Sequence, residues 1–100
     1  MGKEEAIEIV RKYRSLLKEY LQIENIYLYG SYAKGIIRED SDIDVAVVVS
    51  DIQGDYFSVN PLLWKLRRQV DDRIEPILID RNHDRSGFLD EVKRNGIEIV

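Results

Sequence analysis

Apolar residues return every third or fourth position over residues 3–21. Ala6, Ile9, Val10, Tyr13, Leu16, Leu17, Tyr20 and Leu21 fall on one face of a helix. Lys3, Glu4, Glu8, Arg11, Lys12 and Lys18 take the other face, where Glu8 and Lys12 make an attractive i,i+4 pair. The period then changes. Residues 25–29 (NIYLY) are rich in aromatic and β-branched side chains and stop at Gly30, which predicts a strand. One short helical turn is expected over 32–35 behind Ser31, then a polar loop over 36–41 (IIREDS). Residues 42–49 (DIDVAVVV) alternate only at their start and then run apolar on both faces, the pattern of a central strand.

Residues 50–59, with Gly54 between two aspartates, predict a loop. Asn60-Pro61 then opens a helix, Asn as cap and Pro at the first helical position, with Leu62, Leu63, Leu66 and Val70 as its apolar stripe. Residues 73–80 (RIEPILID) predict a third strand. Pro76 has no N–H to give a ladder, so this strand lies at an edge or turns that position outward. A last helix over 84–94 points Phe88, Leu89 and Val92 inward, Asn95-Gly96 supplies a left-handed stop, and residues 97–100 form a terminal strand. The order α-β-(α)-β-α-β-α-(β) predicts an α/β (α+β) fold: a small mixed sheet with helices packed on one face.

One hundred residues suit a single domain spanning 1–100. The formal net charge of −4 gives no general affinity for nucleic acid. Handling polyphosphates at that charge would need metal cations as intermediaries. There is no cysteine, hence no disulfide and no thiolate zinc site. The start MGKEEAIEIV lacks a hydrophobic signal core, and no apolar run approaches the roughly 20 residues of a membrane helix, so a cytoplasmic protein without membrane contact is expected.

Asp42 and Asp44 stand two apart on the predicted strand, so both point to one face with Cα atoms about 6.5 Å apart. Two like charges there are costly unless a cation joins them, and all-oxygen ligation favours magnesium or manganese. Gly30-Ser31 ends the preceding strand. Gly30 permits positive φ and close backbone approach, a turn into a short helix presents amides to an anion, and Ser31 adds a hydroxyl. A nucleoside triphosphate carrying magnesium needs both features.

Gly30-Ser31, ten residues, then Asp42-Ile43-Asp44 resembles the GS-x10-DxD signature of the polymerase β-type nucleotidyltransferases, and the string GSYAKGIIREDSDIDVAVVV looks like their minimal (MNT) group. Ala33, Gly35, Ser41 and the apolar strand after Asp44 also match that group. The resemblance implies a third carboxylate on a later strand. Glu75 is the candidate, though Asp is commoner there; Asp72 and Asp80 compete but lie an odd number of residues away, on the opposite face of a regular strand.

It further implies transfer of NMP, with ATP the expected donor, to a hydroxyl. Gly30, Ser31 and Ser41 would hold the nucleotide, and Asp42, Asp44 and Glu75 two Mg2+ ions (or Mn2+) and the catalysis. The chain leaves no room for an acceptor-binding domain, so another polypeptide or an oligomer partner must present the acceptor. MNT proteins often pair with HEPN-domain proteins in toxin–antitoxin systems, which would make this chain an antitoxin that adenylylates its partner. An inactive module neutralising the HEPN toxin by contact, and a small-molecule nucleotidyltransferase, are the alternatives.

Tyr29 and Tyr32 flank the Gly-Ser turn and either touch a base or are half-buried packing. Lys34 and Arg38 either approach phosphates or sit in a solvated loop. His83 reads as a lone surface residue, Trp64 as packing or partner surface, and Arg67-Arg68 as the wet side of their helix.

Overall fold

A computed structural model describes residues 2–35, 41–50, 56–84 and 86–100. Helix α1 spans Lys3–Leu17 and is followed by strand β1 (Asn25–Tyr29), a four-residue helix α2 (Ser31–Lys34) and strand β2 (Ile43–Val49). Helix α3 (Tyr56–Arg67), strand β3 (Ile74–Asp80), a 3-10 turn (Arg81–His83), helix α4 (Phe88–Asn95) and strand β4 (Ile97–Glu98) complete the order. The sheet runs β3-β2-β1-β4. β1 is antiparallel to both β2 and β4, and β2 is parallel to β3, so the sheet is mixed as expected.

Alternation along the strands sorts side chains onto two faces. Ile26, Leu28, Val45, Val47, Ile74 and Leu78 bury against Ala6, Val10, Tyr13 and Leu17 of α1, Tyr32 of α2, and Leu63 and Leu66 of α3. This is the expected helical layer. To it the structure adds α4, whose Leu89 and Val92 cover Tyr27, Ala46, Val48 and Ile79 on the other face. β2 is buried on both faces from Val45 to Val49, which explains its unbroken apolar run. Tyr13 ties α1 to α3 within the first layer: its hydroxyl donates to Leu63 O at 2.8 Å, and burial pushes the phenol pKa well up despite the opposing Arg67 charge. Among the described residues no helix is long and apolar enough to cross a membrane.

Several boundaries differ from the sequence reading, among them β4, which covers Ile97–Glu98 rather than 97–100. α1 ends at Leu17 rather than residue 21, because residues 18–20 form turns; Tyr20 is left exposed while Leu21 still packs on the core. α3 begins at Tyr56, so Pro61 lies inside it instead of opening it. Only the first turn of a helix has N–H groups without partners, and Pro61 falls just past it, removing a single ladder bond. α4 begins at Phe88, after the 3-10 turn that Asp80 caps by accepting from Asn82 N at 3.0 Å. Gly96 is extended (φ −94°), with no left-handed stop. It is a glycine by crowding: a Cβ there would meet Val92 O at 2.5 Å and Leu28 O at 3.0 Å. Residues 36–40, including Arg38, and 51–55 of the expected loops lie outside the described residues.

Candidate active site

The parallel pairing of β2 with β3 sets Asp44 directly beside Glu75, and the antiparallel pairing of β1 with β2 sets Tyr29 on the other side of Asp44. Tyr29, Asp44 and Glu75 therefore form one row across three strands, on the face that α4 partly covers. Asp42 precedes the start of β2 on the same face, two residues from Asp44, and its charge bears on Glu75. The structure thus brings Asp42, Asp44 and Glu75 together. Asp72 is exposed, and Asp80 on the opposite strand face is engaged with Asn82 N and with His83 Nδ1 at 2.9 Å.

The electrostatics follow from that crowding. Burial, then the Asp42 charge, raises the Asp44 carboxyl above its ordinary range. Glu75 is raised by burial first, then by Asp42 and Asp44, against a smaller opposite pull from Arg67. Tyr29 is pushed up to about 12 by burial and by the Asp44 and Glu75 charges. A cluster of carboxylates that hinder one another's ionisation is what a cation relieves.

The Gly-Ser turn abuts this row. Gly30 adopts φ 73°, ψ −142°, a region essentially closed to other residues. A Cβ there would also overlap Asp44 Oδ2 and sit 3.1 Å from its Cγ. Glycine is required twice over, by its backbone and by the carboxylate lying against it. Gly30 O accepts from Lys34 N at 3.1 Å, which closes α2, and Gly35 ends that helix in the left-handed region (φ 79°). Ser31 opens α2 and is half-buried; Ser41, also half-buried, directly precedes Asp42.

The two flanking aromatics differ in burial. Tyr32 is fully buried in the core. Tyr29 is half-buried, its ring meeting Phe88 edge-on at 5.6 Å. Lys34 and His83 are exposed. Arg67 corrects the sequence reading: it is half-buried rather than on the wet side of α3, while Arg68 is exposed as expected. Its guanidinium lies 4.7 Å from the centroid of the Trp64 ring, and Nη1 donates to Asp72 O and to Ile74 O (3.1 Å). The signal in the sequence was spacing: Arg67 lies four residues after Leu63 and three before Val70, on the side of the apolar stripe.

Whether a hard divalent cation fits has a mixed answer that resolves simply. Three carboxylates in one row supply the right donors. Among the described residues, no three Asp, Glu, His or Cys side chains already enclose a cation. The donor set fits a hard cation, and Asp42 and Glu75 are both exposed, so their carboxylates are free to turn toward one.

A mixed sheet with a glycine turn against a carboxylate row is the architecture of a nucleotidyltransferase. Residues 11–100 match the family model described as polymerase beta, nucleotidyltransferase, and the chain belongs to that family. A provisionally named protein adenylyltransferase of Methanocaldococcus jannaschii is 27% identical over 95% of this chain and 99% of its own length. A second one from that organism is 48% identical over 40% of each chain. The fold is shared with a crystal structure of a provisionally assigned nucleotidyltransferase from Sulfolobus solfataricus (TM-score 0.71, 19% identity, 96% of this chain and 80% of that one). It is also shared with a toxin–antitoxin crystal structure with AMP-PNP (TM-score 0.62, 25% identity, 100% and 73%).

Proposed function

We propose that this chain transfers the adenylyl group of ATP to a hydroxyl on a partner protein, and that it is the antitoxin of a HEPN/MNT pair. The observation that carries the reading is the row in which Glu75 stands beside Asp44, with Asp42 two residues before Asp44 on the same face. The naming of the archaeal relatives as protein adenylyltransferases supports a protein acceptor, and the toxin–antitoxin structure with AMP-PNP supports the partner and the nucleotide.

In this reading the triphosphate lies on the Gly30-Ser31 turn, where backbone amides and the Ser31 hydroxyl meet its oxygens and Gly30 lets it come close. Ser41 contributes a hydroxyl beside Asp42. Asp42, Asp44 and Glu75 hold magnesium, which when bound neutralises the phosphate charge and favours the attacking form of the acceptor hydroxyl. The acceptor oxygen attacks the α-phosphorus in line, the bond to the bridging oxygen of the β-phosphate breaks, and pyrophosphate leaves. Glu75, exposed at the start of β3, takes the proton of the acceptor. The site does its work by positioning and charge, since phosphoryl chemistry asks for little covalent help. The acceptor approaches along β3, where Ile77 is exposed on the same face as Glu75 and leads to a groove of about 400 Å³ floored by Ile79 and Phe88.

The test is to incubate the chain, the protein encoded beside it, magnesium and ATP labelled on the α-phosphate. Label should move to the neighbouring protein and fail to do so with Asp42→Ala/Asp44→Ala. Neutralisation of the neighbour by both forms without label transfer would instead identify a contact inhibitor.

A further inference from the structure

We propose that Arg67 is the positioning residue for Glu75: its guanidinium grips the peptide group that leads into Glu75 and keeps that carboxylate in line with Asp44. This rests on the reading of Glu75 as a cation ligand. The backbone geometry supplies the reason a grip is needed. β3 is an edge strand, so β2 anchors it from one side only. Ile43 N donates to Arg73 O at 2.8 Å, and carbonyls alternate along a strand, so Ile74 C=O points off the open edge of the sheet. That carbonyl belongs to the peptide bond whose nitrogen is Glu75's own. The next outward position is Pro76, which has no N–H to offer any neighbour. The sheet therefore holds the stretch carrying Glu75 along one edge only.

Arg67 closes that gap. One nitrogen, Nη1, donates to the carbonyls of Asp72 and Ile74, on either side of Arg73. The side chain is itself held, clamped under the Trp64 ring at 4.7 Å. Its Nε is buried and has no hydrogen-bond partner among the described residues. An arginine near a helix end has easy access to water, and leaving a donor unsatisfied is unfavourable. Its inward conformation is maintained by the two carbonyl bonds and the ring, and their common effect is to fix the start of β3. Arg73, nearer to Glu75 in sequence, is not the one doing this: its guanidinium is paired with Asp71, at 2.7 and 3.0 Å.

The experiment uses the full chain and counts Mn2+ by electron paramagnetic resonance, with α,β-methylene-ATP as a nucleotide that cannot transfer. The wild type should bind two Mn2+ per chain, and Glu75→Gln should weaken one of them. Arg67→Met keeps the apolar stem and removes the donors and charge. It should weaken the same single Mn2+ at least tenfold while nucleotide affinity stays within twofold. Arg67→Lys, which keeps one cationic nitrogen for the two carbonyls, should recover binding to within threefold. The sign is diagnostic, because removing a positive charge near a carboxylate by itself tightens cation binding; weakening reports lost geometry. Unchanged or tighter Mn2+ binding in Arg67→Met overturns the inference, as does an equal loss of nucleotide and both ions. Should Arg67→Met not fold, Trp64→Leu, which unclamps the guanidinium, must weaken that same ion at least threefold or the inference fails. A wild type that never binds a second Mn2+ refutes the earlier reading of Glu75 before any substitution at Arg67 is made.

Discussion

Gly30 and Gly35 bracket the same four-residue helix, and alanine at each separates backbone strain from active-site geometry. Both have positive φ, but nothing lies within 4 Å of a Cβ built at Gly35, whereas at Gly30 it overlaps the Asp44 carboxylate. Gly35→Ala should cost roughly 1–2 kcal/mol of stability in urea denaturation, from its left-handed backbone alone. Its label transfer per folded molecule should be unchanged. Gly30→Ala should cost about 1–3 kcal/mol for its glycine-only conformation. The clash itself adds little to stability, because the end of an aspartate side chain can swing away. That swing is the functional damage: transfer should fall on the order of a hundredfold, as expected when a reacting group is displaced by about 1 Å. Equal transfer by the two variants would disprove the close fit of Gly30 to Asp44. At this scale the sequence was legible where spacing carries geometry. Asp42 and Asp44 share a face because strand period is two, and Gly30 needs its freedom because a turn follows. Arg67 was legible in part: its spacing from Leu63 and Val70 puts it on the apolar side of α3, but which strand edge its guanidinium meets is set by the fold.

Between elements, the contact that decides most is the one around Gly96. It joins α4 to β4 with ordinary extended backbone, yet Val92 O and Leu28 O both press on the space a Cβ would fill. Both neighbours are main chain and cannot rotate away. Gly96→Ala should therefore lose about 1–3 kcal/mol, the usual cost of overpacking. The loss should also be local: amide exchange should quicken first at Ile99, whose N–H donates to Ile26 O at 2.9 Å across the β1–β4 seam. Exchange that speeds up uniformly through the sheet would count against a seam held by this glycine. A left-handed stop was the natural sequence reading of Asn-Gly after a helix, and only the approach of β1 replaces it. The same limit moved the start of α3. Asn60-Pro61 is a good helix opening locally, but the apolar stripe is satisfied just as well by a helix begun at Tyr56 that carries Pro61 just beyond its first turn.

For the whole molecule, element order was legible and strand order was not. Periodicity found each strand, yet the neighbour relation of Asp44 and Glu75 arises from a crossover that carries α3 over one face before β3 returns parallel to β2. That arrangement sets function against stability. Asp44 and Glu75 have ordinary values of 3.8 and 4.5 and are both raised in the folded protein, chiefly by burial and then by neighbouring carboxylates. Below those values both groups are protonated whether folded or not, and the site costs nothing. As pH rises through them the unfolded chain ionises first, so the folded state binds more protons and stability falls with increasing pH. The deficit grows until the folded carboxyls ionise as well, and it persists at neutrality. With EDTA present to remove stray cations, Asp44→Asn and Glu75→Gln should each melt above the wild type at neutral pH. The advantage should shrink on acidification and vanish below 3.8 for Asp44→Asn. Both variants should nonetheless lose label transfer. Adding Mn2+ with the methylene nucleotide should reverse the order of melting, because only the wild type gains the full binding energy. A wild type that outlasts both variants in EDTA at neutral pH would mean that the carboxylate row is not under like-charge stress, and the reason for a cation at this site would go with it.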